Sequence, residues 1–321
     1  MIVIGLDIGG TYIKAGLVED GRPVETDSIY VDDNTNFDAV VPILTKEVTR
    51  LLTSCRVGTD KLKGIGIAFP GLVNLTQTSV IETHKYYGAK DFDFQQWAKD
   101  NWGVPIVLLN DARMAGYGEW FAGAGINSKN MAMLTFGTGI GSCVIMDGKM
   151  LDGKGHKAGN LAGHFIVDVN GERCQCGNIG CAEAQASSWQ LPRLVSQDPD
   201  FRYSIFANGE SVNFEKLFGL YRKDNPLAIR VLTYCLNIWS ATIINMIHAF
   251  DPELIILGGG VMKSADIIVP YIQERVDKYS WSTPERTKIK AAKLGNDASI
   301  VGAYFFMSEN LKNKHIKYQT Q

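Results

Sequence analysis

The segments MIVIGLDIGGTYIKAGLVEDGRPV (1–24) and NMAMLTFGTGIGSCVIMDGKML (130–151) follow one grammar. Each runs from an apolar strand through a glycine–threonine turn into a second strand, then through an acidic-glycine turn into a third. Recurrence of that pattern within one chain suggests a duplicated domain. KGIGIAFPGLVN (63–74), VPIVLLND (104–111) and PELIILGGGV (252–261) read as further buried strands. Helices are expected over 37–55, 114–123, 226–249 and 266–279. Strands alternating with helices around two hairpins predict an α/β chain with mixed sheets. Its 321 residues suffice for about two such domains.

A net charge of −2 gives the chain no overall electrostatic footprint for nucleic acid or an anionic membrane. The basic run from Lys312 to Lys317 is expected to be a solvated terminus. The N-terminus has no basic leader, and Asp7 interrupts its apolar run before it could direct export. Residues 227–250 are apolar but carry Arg230, Asn237, Ser240, Asn245 and His248, which suits a buried helix better than a membrane span. The expected location is therefore the reducing cytoplasm, where a disulfide framework is disfavoured.

Three places carry chemistry. In DIGGT, Gly9 and Gly10 let the backbone come close to a ligand, with Asp7 before them and Thr11 and Lys14 after. GTGIG repeats the device at Gly137, Thr138 and Gly139, and Gly258 and Gly259 end a late strand. An acid beside one such turn can hold Mg²⁺ through water, while two turns can bind a polyphosphate. Neither matches the P-loop or the dinucleotide fingerprint. Asn110-Asp111 closes the strand VPIVLL, where ligands bind in open α/β sheets, and a carboxylate there can take a proton from a hydroxyl. The same pair could simply cap the next helix. Finally, CQCGNIGC places Cys174, Cys176 and Cys181 within eight positions, with His164 shortly upstream. Disulfide staple, redox pair and metal site are the choices. The expected compartment weakens the first, and three thiolates with one imidazole match a closed, structural zinc site. Glu183 follows in the same loop.

These residues resemble the ROK family (repressors, open reading frames and kinases), bacterial sugar kinases of the actin-like ATPase superfamily. The resemblance spans essentially the whole chain. It rests on DIGGT, Pro70-Gly71, NDA at 110–112, GTGIG, Gly163-His164 with the cysteine run, LGGGV at 257–261 and SIVGA near the C-terminus. It implies ATP-dependent transfer to a sugar hydroxyl, usually the 6-hydroxyl of a hexose. Asp111 would be the base, and Asn110, Glu183 and His164 would hold the sugar. Asp7, Thr11 and Thr138 would surround Mg²⁺ and the phosphates, with Gly258 and Gly259 near the nucleoside. The fold implied is two RNase-H-like domains around a central cleft: 1–115 with 297–321, and 116–296. The family is commonly dimeric or tetrameric, so a homo-oligomer is expected. Repressor members carry a DNA-binding segment ahead of the first glycine turn, which here starts at Asp7, so the enzyme branch is expected, without a nucleic-acid partner.

Three departures gather around the sugar pocket that the resemblance implies. Where relatives use Glu-x-Gly-His, this chain reads Ala158-Gly-Asn-Leu-Ala-Gly-His164, leaving Asn160 to meet a hydroxyl without a charge. THKYYG (83–88) replaces a Pro-Asn-Leu segment, and Arg113 stands where Asn is common. These put the identity of the sugar in play: glucose, another hexose or an N-acetylated hexosamine. A sugar-binding member with impaired catalysis is the remaining alternative.

Overall fold

The computed structural model describes residues 1–31, 36–75, 78–281 and 286–319, with side chains as far as Lys312. The basic terminus beyond Lys312 therefore lies outside the described side chains. In chain order the elements are β1 (Ile2–Ile8), β2 (Tyr12–Glu19), β3 (Arg22–Tyr30), α1 (Phe37–Ser54), β4 (Leu62–Phe69), β5 (Leu72–Asn74) and β6 (Ser79–Glu82). Then come α2 (Phe94–Trp102), β7 (Ile106–Asn110), α3 (Asp111–Ala122), β8 (Met131–Phe136), β9 (Ile140–Met146) and β10 (Lys149–Met150). The chain continues through α4 (Ala182–Ala186), α5 (Leu191–Ser196), α6 (Phe214–Tyr221), α7 (Pro226–Phe250), β11 (Leu254–Gly258), α8 (Ala265–Tyr279), β12 (Lys288–Ala291) and α9 (Ala298–Gln319).

The chain divides into two compact units: residues 1–127 with 152–158 and 296–321, and residues 128–151 with 159–295. Unit 1 is built on a sheet of order β3-β2-β1-β4-β7. Its first three strands are antiparallel, and β4 and β7 run parallel to β1. Strand alternation assigns the two faces. Ile4, Leu6, Ile8, Ile65, Ile67 and Leu108 join the core with α1 and α2. On the other face β1 and β4 present Gly5 and Gly66, where an added Cβ would meet Ile300 and Ala303 of α9 at 3.0 and 2.6 Å. The small residues let α9 lie directly on the sheet, which is why the C-terminal helix returns to the first unit. Gly118 of α3 and Gly302 of α9 meet the same way: a Cβ would fall 2.1 Å from the Ala298 carbonyl oxygen and 2.0 Å from that of Met114.

Unit 2 repeats the frame as β10-β9-β8-β11-β12, with β8–β10 antiparallel and β11 and β12 parallel to β8. Its core helix α7 starts at Pro226, a position where the missing N–H costs nothing, and is capped by the Asn225 side chain on Ala228 N–H at 3.1 Å. Trp239 on α7 is fully buried, stacks on Phe136 with centroids 4.5 Å apart, and donates Nε1–H to the Ala186 carbonyl at 2.9 Å. The long apolar run is thus the centre of a protein core, although its length and composition alone would also fit a membrane span.

The division differs from the expected boundaries in two places. The helix expected from 114 begins at Asp111, and the whole of α3 stays with unit 1 because it packs on α9. Residues 152–158 also belong to unit 1. Arg113, buried on α3, holds them through the Asp152 carboxylate at 3.2 Å and the Ala158 carbonyl at 2.6 Å.

Candidate functional site

In unit 1, Asp7 sits on the α9-facing side of β1, opposite Lys14 in the β1–β2 register. Burial and the like charge of Asp111 push its pKa up to about 6, against the pull of a Ser299 hydrogen bond and of Lys14 and Lys85. Asp111 is the first residue of α3, and Asn110 is its N-cap, accepting from Arg113 N–H at 3.2 Å. Burial raises the Asp111 pKa as well, opposed first by the Ala112 N–H bonded to its Oδ1 at 2.8 Å. Two partly buried carboxylates therefore face one another's field with little water to screen them. The helix-capping reading of Asn110 holds in full. Its amide also donates to the Gly71 carbonyl at 3.0 Å, so much of the group expected to bind sugar is engaged by the protein itself.

The Gly9–Gly10 turn is closed by Gly9 N–H to the Tyr12 carbonyl at 3.0 Å, and a Cβ on Gly9 would fall 2.5 Å from that oxygen. Thr11 is exposed at the tip. Lys14 does not reach freely over the turn: its ammonium contacts Asp297 at 2.5 Å and the Asn296 carbonyl at 3.0 Å. The cation at the turn is instead Lys85, whose Nζ lies 3.0 Å from where a Gly10 Cβ would stand. Local sequence does not place it there. The one available signal was the THKYYG departure, because nothing in the spacing shows that this segment folds back over β1.

In unit 2, the matching turn is held shut. Gly137 N–H donates to the Gly139 carbonyl at 3.0 Å, and Glu183 Oε2 accepts from Ile140 N–H at 2.8 Å. A Cβ on Gly139 would lie 2.3 Å from that carboxylate, so Glu183 packs directly on the turn, while Thr138 is exposed. Gly258 ends β11, and Gly259 has φ +92° with a would-be Cβ 2.0 Å from the Phe136 carbonyl, a position only glycine fills without strain. Asn160 is 5% exposed, and among the described residues its Oδ1 has no hydrogen-bond partner.

The cysteine loop gathers His164, Cys174, Cys176 and Cys181 so that one donor atom of each lies within 4.8 Å of all the others. The His164 Nδ1 stands 3.6 Å from Cys174 Sγ, and Cys176 Sγ stands 3.7 Å from Cys181 Sγ. Backbone bonds shape the loop: Cys174 N–H to the Asn178 carbonyl, Gly177 N–H to the Cys174 carbonyl and Gly180 N–H to the Glu172 carbonyl. Burial and the adjacent thiols push Cys181 up to about 12. A bound cation would favour ionisation of these thiols, and a Cys₃His set is the donor chemistry of tetrahedral zinc.

Similarity to known proteins covers the same span. The ROK family profile matches residues 3–310. The chain is 27% identical to a glucokinase of Halalkalibacterium halodurans over 95% of its own length and 94% of that protein. It is 32% identical to an uncharacterized protein of Clostridium perfringens, covering 95% of this chain and 97% of the other. Among solved structures, a ROK family glucokinase from Streptomyces griseus in complex with glucose and AMPPNP superposes with a TM-score of 0.80 at 26% identity, over 94% of this chain and 98% of that one. The two matched sheets, the paired glycine turns and the profile match together identify the chain as a member of the ROK family.

Proposed function

We propose that this chain transfers the γ-phosphoryl group of ATP to a hexose, at its 6-hydroxyl. The observation that carries the reading is the Asp111 carboxylate, partly buried at the head of α3 and raised in pKa, in a chain of this family. Raised basicity suits a group that must take a proton from an alcohol as the oxygen attacks phosphorus. In unit 1, Asp111 is the base, and Asp7 and Thr11 serve the metal ion and phosphates beside Gly9 and Gly10. Bound Mg²⁺ would neutralise phosphate charge, and Asp7 is the side chain that would orient it through water. In unit 2, Thr138 and its flanking glycines would meet phosphate, Gly258 and Gly259 the nucleoside, and His164, Glu183 and Asn160 the sugar.

Zinc, held by His164, Cys174, Cys176 and Cys181, would fix the loop and leave no open coordination position for hydrolysis. With His164 Nδ1 turned to the cysteines, Nε2 is left to face a hydroxyl. Thiolate ligands and ATP as substrate would both suit a reducing cytoplasm. Asn160 favours a second acceptor: its unpartnered Oδ1 can accept the N–H of an N-acetylated hexosamine as readily as a hydroxyl proton. The test is coupled ADP release with Mg-ATP over aldohexoses, ketohexoses and N-acetylated hexosamines. Sugar-dependent ADP release with at least one hexose or hexosamine is expected; release with none contradicts the proposal.

A further inference from the structure

We propose that Lys85 is a catalytic residue that contacts the phosphoryl group in flight, an assignment that rests on the kinase reading above. The last three atoms of its side chain lie along the first glycine turn: Nζ, Cε and Cδ stand 3.0, 3.3 and 3.4 Å from the position of a Gly10 Cβ. The backbone on both sides is tied down. Thr83 Oγ1 donates to the Pro70 carbonyl at 2.8 Å and accepts from Lys85 N–H at 3.2 Å, and the Tyr86 hydroxyl donates to the Gly9 carbonyl. Gly71 lets the segment come close, since a Cβ there would fall 2.2 Å from the Glu82 carbonyl oxygen. Residues 83–86 are therefore bolted to the Pro70–Gly71 and Gly9–Gly10 turns with one lysine between the bolts.

The ammonium itself is not consumed by this scaffolding. Neighbouring lysines are paired, Lys14 with Asp297 and Lys90 with Glu82, whereas no carboxylate among the described residues lies within ion-pair distance of Lys85. Its field nevertheless reaches both acids whose pKa is raised, lowering the proton affinity of Asp7 and of Asp111. Asp7 serves the phosphate donor and Asp111 the acceptor oxygen. A cation that lies on the glycine turn, with a field that reaches both, stands where the migrating group would pass.

The step balances without it gaining or losing a proton. Asp111 takes the proton of the sugar hydroxyl, the new O–P bond forms, the bond from the γ-phosphorus to its bridging oxygen breaks, and ADP leaves with that electron pair. Lys85 donates hydrogen bonds to the nonbridging oxygens of the moving group, whose charge is spread over them in the transition state. A lysine suits the task because its three N–H donors turn freely to follow a moving target.

The test compares full-length wild type with Lys85→Met and Lys85→Arg by coupled ADP release, using the best sugar of the panel. The expected result is a fall in kcat of about 100-fold for Lys85→Met, with sugar KM within about threefold of wild type and partial recovery in Lys85→Arg. Melting temperatures of both variants should stay within a few degrees of wild type, because the side chain is only partly buried. An active wild type with Lys85→Met of equal kcat, or with sugar KM alone raised, overturns the assignment of Lys85 while leaving the kinase reading intact. A wild type inactive on every sugar overturns that reading and this assignment with it.

Discussion

The two units share a sheet order but treat their glycine turns in opposite ways. In unit 1 the acids beside the turn between β1 and β2 sit in poor surroundings: Asp7 and Asp111 are both raised in pKa, and Lys85, which lies on the turn, stays unpaired among the described residues. In unit 2 the turn between β8 and β9 is clamped by its own acid, since Glu183 bonds Ile140 N–H and packs on Gly139. The insertions differ accordingly. Unit 1 places α1 between its third and fourth strands, whereas unit 2 places the cysteine loop and α4–α7 there. On the proposed reading one frame carries two burdens: unit 1 would hold electrostatic strain for chemistry, and unit 2 would hold shape for recognition. Strain of this kind is typical of functional sites and is offset by the surrounding core.

If unit 2 depends on its loop, taking the metal away should have the largest effect. Purified protein should contain one zinc per chain, and Cys176→Ala or chelation should lower the melting temperature by on the order of 10 °C. Proteolysis should then cut first between His164 and Cys181. Protein without zinc, and a Cys176→Ala variant with an unchanged melting temperature, would break the comparison on this side.

A smaller effect sharpens the other side. The folded pKa of Asp7, about 6, lies above its usual 3.8, so the native state binds the proton more tightly than the unfolded chain. Ionised Asp7 therefore costs stability at neutral pH, and the cost fades as pH falls from about 6 toward 3.8. Asp7→Asn should raise the melting temperature at pH 7.5 by about 3 °C, with a smaller gain at pH 5. An equal gain or loss at both pH values would show that the carboxylate is not strained by its surroundings.

Much of this architecture was legible in the residues. The duplicated strand–turn–strand grammar marked both sheets, because a buried hairpin needs apolar alternation and its turns need glycine. The helix over 226–249 extends only to Phe250. The four residues of the cysteine–histidine set, named together from spacing, also come together in space. What stayed hidden depended on distant contacts. Lys14, adjacent in sequence to the turn, is paired with Asp297 from the far end of the chain. Lys85, far from the turn in sequence, lies on it. The start of α3 is ambiguous in the sequence because Asp111 reads equally as a strand end and a first helical residue, and capping by Asn110 decides between them. The attachment of 152–158 to unit 1 turns on Arg113, whose partners no local pattern reveals.

The central claim is that the strained carboxylate at the head of α3 performs the proton transfer while recognition resides elsewhere. Asp111→Asn tests it directly, with turnover measured by coupled ADP release and sugar binding by calorimetry on the same preparation. The account predicts a loss of kcat of about 1,000-fold with the sugar Kd within about threefold of wild type. Turnover that survives the substitution would contradict it.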